Sequence, residues 1–283
     1  MATNKPNNDP IALKMMQLMF KVLSPLFPNT MGKFAYHLWF TPPRPHPPQA
    51  EKVAATKAQA SFITVDGLKI RIWSWGQGPT VLFIHGWGGR GTQISSFIDM
   101  LNQSGYNVMS FDLPAHGQSD GKITDAFSVS KTLSEVIKKI DNLHTVITHS
   151  FGGIIFGHFY APSLNVKKIV MFCPPSTVTT PFNEFSDKLK LPETIKNYVL
   201  KKIEDDLGSD AFERLSLLKN AEKIIQPVLV VHDESDDVVP FEEGNNVASV
   251  IPHGTFLGSS DLGHRKILFD QAVIQQVVNF IKN

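Results

Sequence analysis

The spacing of apolar residues changes character several times along this chain. Over Ile11–Leu23 they leave only a narrow polar stripe, Lys14, Gln17 and Lys21, on one helical face. The helix this predicts ends at Ser24-Pro25 and Pro28. Such a helix has to bury Leu13, Met16, Met19, Phe20 and Leu23 against its own domain, a second copy or a membrane surface. Phe34–Phe40 adds aromatic surface, and Thr41–Pro48 (T-P-P-R-P-H-P-P) reads as an extended, polyproline-like linker. Alternation then sets in: Ser61–Val65, the pair Asp66-Gly67 and Leu68–Trp75 predict a β-hairpin.

Beyond Trp75 the strand-like runs become short and continuously apolar: Val81–Ile84, Val108–Phe111, Thr145–Thr148, Ile169–Phe172 and Val228–Val231. Helix-length segments separate them, among them Ile94–Asn102, Val129–Ile140 and Ile154–Tyr160. Strands apolar on both sides are covered on both sides, which predicts an α/β fold with a mostly parallel sheet and helices on each face. Thr255–Leu257 supplies an eighth short strand, and Lys266–Lys282 a closing helix. One interval carries no strand: between Cys173 and Gln226 lie the helical patterns Phe182–Leu189, Pro192–Leu207 and Ala211–Lys223. An insertion leaving the C-terminal end of a strand is expected over the ligand-binding side of such a sheet, as a lid. The expected organisation is therefore an N-terminal extension and linker (1–60), an α/β core (61–173 and 227–283) and a helical lid (174–226).

Composition narrows the function classes. The chain has 283 residues, 42% hydrophobic and 19% charged, with a formal net charge of +1, so nothing points to nucleic acid as a partner. The single cysteine, Cys173, rules out an intramolecular disulfide and closes an apolar run, as a small core residue does. No run approaches the roughly 20 apolar residues of a membrane span. Lys14, Gln17 and Lys21 interrupt the N-terminal apolar stretch and no small-residue cleavage site follows, so a signal peptide is not expected and a cytoplasmic location is. Met1–Pro10 reads as disordered.

Chemistry-bearing residues gather where the apolar runs end. Thr145–Gly153 (T-V-I-T-H-S-F-G-G) reads as strand, tight turn, helix, with Ser150 at the tip and helix amides aimed at it. Such a turn demands small residues two positions either side of the serine; Gly152 complies and Thr148 complies less well, leaving T-x-S-x-G. His85-Gly86-Trp87-Gly88-Gly89 follows the first continuous run and Asp112-Leu113-Pro114-Ala115-His116-Gly117-Gln118-Ser119 the second. His232 to Pro240 follows the Val228–Val231 run, and Asp261-Leu262-Gly263-His264 the last.

Together these motifs resemble the α/β-hydrolase superfamily over roughly residues 61–283, in the order Ser, Asp, His that the superfamily uses. The resemblance implies an α/β-hydrolase fold with a mostly parallel eight-stranded sheet and a helical cap. It implies Ser150 as nucleophile, His264 as general base and Asp236 as the acid that orients it, with the backbone N–H groups of Trp87 and Phe151 forming an oxyanion hole. Motif register selects Asp236, four residues before Pro240, and leaves Asp237 and Asp233 as alternatives.

The activity this implies is hydrolysis of a carboxylic ester of a small or medium apolar acid through an acyl-enzyme, by a serine esterase. Action on a carrier-bound acyl group, as thioesterase or acyltransferase, is the enzymatic alternative, and a non-catalytic ligand receptor the other. No cofactor and no metal are expected. The expected partners are a small-molecule ester and, through the N-terminal helix, a second copy or a membrane surface.

Overall fold

Residues 11–283 are described by the structure, a computed structural model; the disordered reading of Met1–Pro10 lies outside them. The chain begins with α1 (Ile11–Leu23), α2 (Pro28–Trp39) and α3 (Gln49–Lys57), followed by the hairpin β1 (Gln59–Val65) and β2 (Leu68–Trp75). Asp66 and Gly67, at φ 48° and 79°, make its turn. After β3 (Thr80–Ile84), a 3-10 helix (Gly91–Phe97) runs into α4 (Ile98–Gln103). Then come β4 (Asn107–Phe111), α5 (Ala126–Ile137), β5 (Leu143–His149), α6 (Phe151–Phe159) and β6 (Lys168–Phe172). The insertion holds α7 (Thr179–Lys188), α8 (Glu193–Leu207), α9 (Ala211–Arg214) and α10 (Leu217–Ala221). The chain closes with β7 (Val228–Asp233), α11 (Phe241–Val250), β8 (Gly254–Ser259), α12 (Gly263–Lys266) and α13 (Gln271–Lys282).

The eight strands form one sheet in the order β1-β2-β4-β3-β5-β6-β7-β8. β2 runs antiparallel to both of its neighbours, and every pairing from β4 to β8 is parallel. Strand alternation divides the core in two. Leu82, Ile84, Val146, Met171 and Val230 face one way, into a cluster with α5, α6 and α11. Phe83, Ile147, Val170, Phe172 and Val231 face the other, with α4 and α13. This is why the central strands read as unbroken apolar runs. Two predicted helices split. Ala211–Lys223 divides into α9 and α10, the latter capped by Ser216, and the closing helix restarts at Gln271 because Asp270 accepts from Val273 N.

The described residues form two compact units, one of residues 11–39 with 182–211, the other of residues 40–181 with 212–283. In the first, α2 and α8 are joined by Tyr36 OH donating to Asp206 Oδ2 at 2.6 Å, and α1 is tied to α7 by Gln17 Nε2 donating to Lys188 O at 2.8 Å. Trp39 meets Phe182 and Phe185 edge-on. Helices α1 and α2 thus belong to one helical unit with α8 and most of α7, far apart from them in sequence.

In the second unit, the Pro-rich run is bound down along its length. Arg44 donates to four carbonyls, those of Ala115, Gly117, Ser119 and Gly121, at 2.8 to 3.2 Å. Its continuation, α3, was not legible as a helix behind so many prolines. It buries Glu51, which takes two hydrogen bonds from Arg90 and one from Thr92 Oγ1.

Candidate active site

β5 ends between β3 and β6, with Thr148 opposite Ile84 on one side and His149 opposite Phe172 on the other. At its end Ser150 takes φ 51°, ψ −119°, a strained conformation for any residue with a Cβ, before α6 begins at Phe151. Ser150 N donates to Phe172 O at 2.8 Å, and Gly153 N to Ser150 O at 2.8 Å. The turn presses against the neighbouring strand: a Cβ at Gly152 would lie 2.4 Å from Ile84 O. Only glycine fits there. Thr148 is tolerated because it still lies within the strand, buried, its hydroxyl without a hydrogen-bond partner among the described residues.

His264 opens the short helix after β8, and Asp236 lies in the turn after β7. The two meet: His264 Nδ1 and Asp236 Oδ2 are 2.7 Å apart. Asp236 Oδ1 accepts from the amides of Val238 and Val239 at 2.8 and 2.9 Å, and His232 Nε2 lies 3.2 Å from Oδ2. Burial pushes this carboxyl up, but the hydrogen bonds from His232, His264 and Val239 outweigh it and hold Asp236 well below the usual carboxylate range. Asp237 is exposed. Asp233 serves the loops instead, accepting from Ser235 N, Leu262 N, Gly263 N and Ser259 Oγ. Of the three acids that register left open, Asp236 is the one brought to His264.

No hydrogen bond from Ser150 Oγ is recorded among the described residues. The serine turn is linked to the His264 segment through its neighbour: His149 Nε2 donates to His264 O at 2.8 Å, and the two rings lie 4.7 Å apart. Burial, with His264 beside it, lowers the His149 pKa to about 3, so the ring is neutral. The backbone N–H groups of Trp87 and Phe151 donate to no partner among the described residues, and the two side chains meet edge-on at 5.3 Å. Behind Trp87, burial keeps His85 neutral; its Nδ1 donates to Gly86 O and its Nε2 accepts from Leu113 N, which fixes the tautomer.

Two neighbours of the His264–Asp236 pair, His149 and His232, escaped the sequence reading as partners of it, while Cys173 is buried in the core as expected. Both histidines sit near a strand end beside a motif, but nothing in the local pattern tells which way such a side chain turns. Cys173 Sγ, Asp236 and His264 offer ligand atoms within 4.8 Å of one another. Burial and the Asp236 carboxylate push the thiol well above its ordinary pKa, and a protonated thiol is a poor metal ligand. The arrangement works as a hydrogen-bonded His–Asp pair, able to take up and return a proton at His264 Nε2.

The match to known proteins agrees with this architecture. The family model described as the alpha/beta hydrolase fold matches residues 79–211. Among curated relatives, a non-heme chloroperoxidase of Kitasatospora aureofaciens is 25% identical over 239 residues, 67% of this chain and 86% of the relative. A bifunctional esterase/perhydrolase of Acinetobacter calcoaceticus is 23% identical over 252 residues, 71% and 91%. Of solved structures, an esterase from Exiguobacterium antarcticum superposes with a TM-score of 0.63 at 22% identity, covering 80% of this chain and all of that one. The sheet order, the family match and these likenesses give this chain the α/β-hydrolase fold.

Proposed function

We propose that this protein is a serine esterase that hydrolyses carboxylic esters of small or medium apolar acids through an acyl-enzyme. Ser150 Oγ gives its proton to His264 Nε2 and attacks the ester carbonyl carbon. The amides of Trp87 and Phe151 hold the oxyanion, and His264 returns the proton to the departing alcohol. Water then repeats the sequence and frees the acid. Asp236 keeps Nδ1 of His264 protonated and offsets the charge of the imidazolium. Each oxyanion donor supplies about 10²- to 10³-fold in turnover.

The observation that carries this reading is the 2.7 Å bond between His264 and Asp236, formed from two different strand ends and joined to the serine turn through His149. The test is labelling by a fluorophosphonate probe, followed by turnover of p-nitrophenyl esters across acyl lengths. Label and turnover are expected in the wild type and absent in Ser150→Ala. A folded wild type that takes no label sinks the assignment and favours a ligand receptor.

The relative named as an esterase/perhydrolase favours a second reading, in which hydrogen peroxide in place of water opens the same acyl-enzyme to a peracid. Peracid formation in added peroxide separates it from simple hydrolysis. Comparing an oxygen ester with its thioester, with and without an acceptor alcohol, tests carrier-bound acyl groups in the same assay.

A further inference from the structure

The two sides of α1 differ from their surroundings in opposite ways. Leu13 and Phe20 point inward and are buried. Ile11, Met15, Leu18 and Val22, at spacings of four, three and four, share the opposite side, and the stripe continues past the helix end into Leu26 and Phe27. These six apolar side chains are 52 to 79% exposed. A helix of a water-soluble surface carries polar residues there.

The charges around the stripe have one sign. Lys14 and Lys21, seven apart, flank it along one side of α1, and Lys33 stands on α2; all three are exposed. None of them is in an ion pair among the described residues. No aspartate or glutamate occurs from Ile11 through Ala50. The described acids of the unit all lie within residues 182–211, where Asp187, Glu193, Asp205 and Asp206 are paired to lysines.

We propose that the exposed side of α1 docks on an anionic phospholipid surface, its apolar stripe in the acyl boundary and Lys14, Lys21 and Lys33 at the headgroups. This goes beyond ester hydrolysis and does not depend on it. At 13 residues α1 cannot span a bilayer, and no described helix is long and apolar enough to cross one. A short helix with one apolar side and lysine flanks lies in the interface plane. A second copy fits less well. Six such side chains offer on the order of 500 Å², short of the roughly 800 Å² per partner of a stable interface. A two-fold pair through the same patch also brings the lysines of both copies together with no acid between them.

The test is flotation of the full chain with vesicles of phosphatidylcholine alone or mixed with phosphatidylglycerol. Binding is expected to the mixed vesicles and to weaken as salt rises. Lys14→Gln with Lys21→Gln lowers partitioning by about fivefold per lysine, and Met15→Glu with Leu18→Glu abolishes it. Because all four positions are exposed, each variant keeps the wild-type thermal melt. A wild type that stays with the vesicle-free fraction overturns the proposal, as does a Met15→Glu/Leu18→Glu variant that floats like wild type. A vesicle-free dimer that the same glutamates split assigns the patch to a second copy instead. Flotation reads binding without turnover, so its failure leaves the esterase reading untouched.

Discussion

His149 Nε2 donates to the backbone carbonyl of His264 across 2.8 Å, so the residue before the candidate nucleophile holds the segment that carries the candidate base. Because His149 is buried and neutral, this bond has a fixed donor throughout the working pH range. Displacing a base by about 1 Å can cost on the order of 10² in rate. His149→Ala is expected to lower kcat by about 10- to 100-fold with KM little changed, and to slow fluorophosphonate labelling in step. His149→Asn keeps an N–H donor and recovers part of the loss. Unchanged labelling in the alanine variant would remove His149 from the positioning of His264.

Asp236 and Asp237 are adjacent in sequence and opposite in environment. The first is locked between His264, His232 and two amides, the second faces solvent. Asp236→Asn is expected to reduce kcat by about 10⁴, while Asp237→Asn leaves it within twofold. Steady-state kinetics on one ester decides the matter, and equal losses in the two variants would contradict the assignment.

The Glu51–Arg90 pair ties α3 to the segment that follows the Trp87 loop, and Arg44 pins the Pro-rich run to four carbonyls. Glu51 is almost fully buried, so removing either partner strands a charge at a cost of about 3 kcal/mol. Denaturant unfolding of Glu51→Ala, Arg90→Ala and the double variant checks this. The double variant is expected to lose less than the sum of the singles. Strict additivity would show that the pair does not couple.

Acid should weaken the fold through histidines that burial holds neutral. Burial lowers His149 to about 3 and His116 to about 4, against 6.5 for the exposed side chain. A depressed histidine is neutral when folded and takes up a proton on unfolding, so stability falls as pH drops below 6.5. Once pH is about a unit below 6.5, each adds up to about 1.4 kcal/mol per pH unit down to its folded value, and His85, also held neutral by burial, adds a third such contribution. Unfolding free energy measured at pH 6.5, 5.5 and 4.5 should fall, more steeply over the second interval, and His116→Gln should remove about a third of the fall. A flat profile through pH 5 would mean that these rings are not held neutral.

The strands of the sheet were legible because a strand buried on both sides has no polar position to disguise it, as Val228–Val231 and Ile169–Phe172 illustrate. Their bounds shifted by a residue or two, where backbone pairing outlasts the apolar run, as at Lys168 and Asp233. The serine turn was legible because glycine is the one residue that fits against Ile84 O at position 152. Helix α3 was missed because Gln49–Lys57 has weak periodicity and follows five prolines; its burial depends on Arg90, 39 residues away.

Local chemistry thus determined the parallel sheet, the strained serine and the order of the reactive residues, since each depends on neighbours a few positions apart. Tertiary structure decided which of three aspartates meets His264. It also joined α1 and α2 with α7 and α8 of the insertion, turned the prolines into a strap, and left one side of α1 facing outward. Those outcomes turn on residues brought together from distant parts of the chain, and periodicity within a segment carries no information about what the segment will meet.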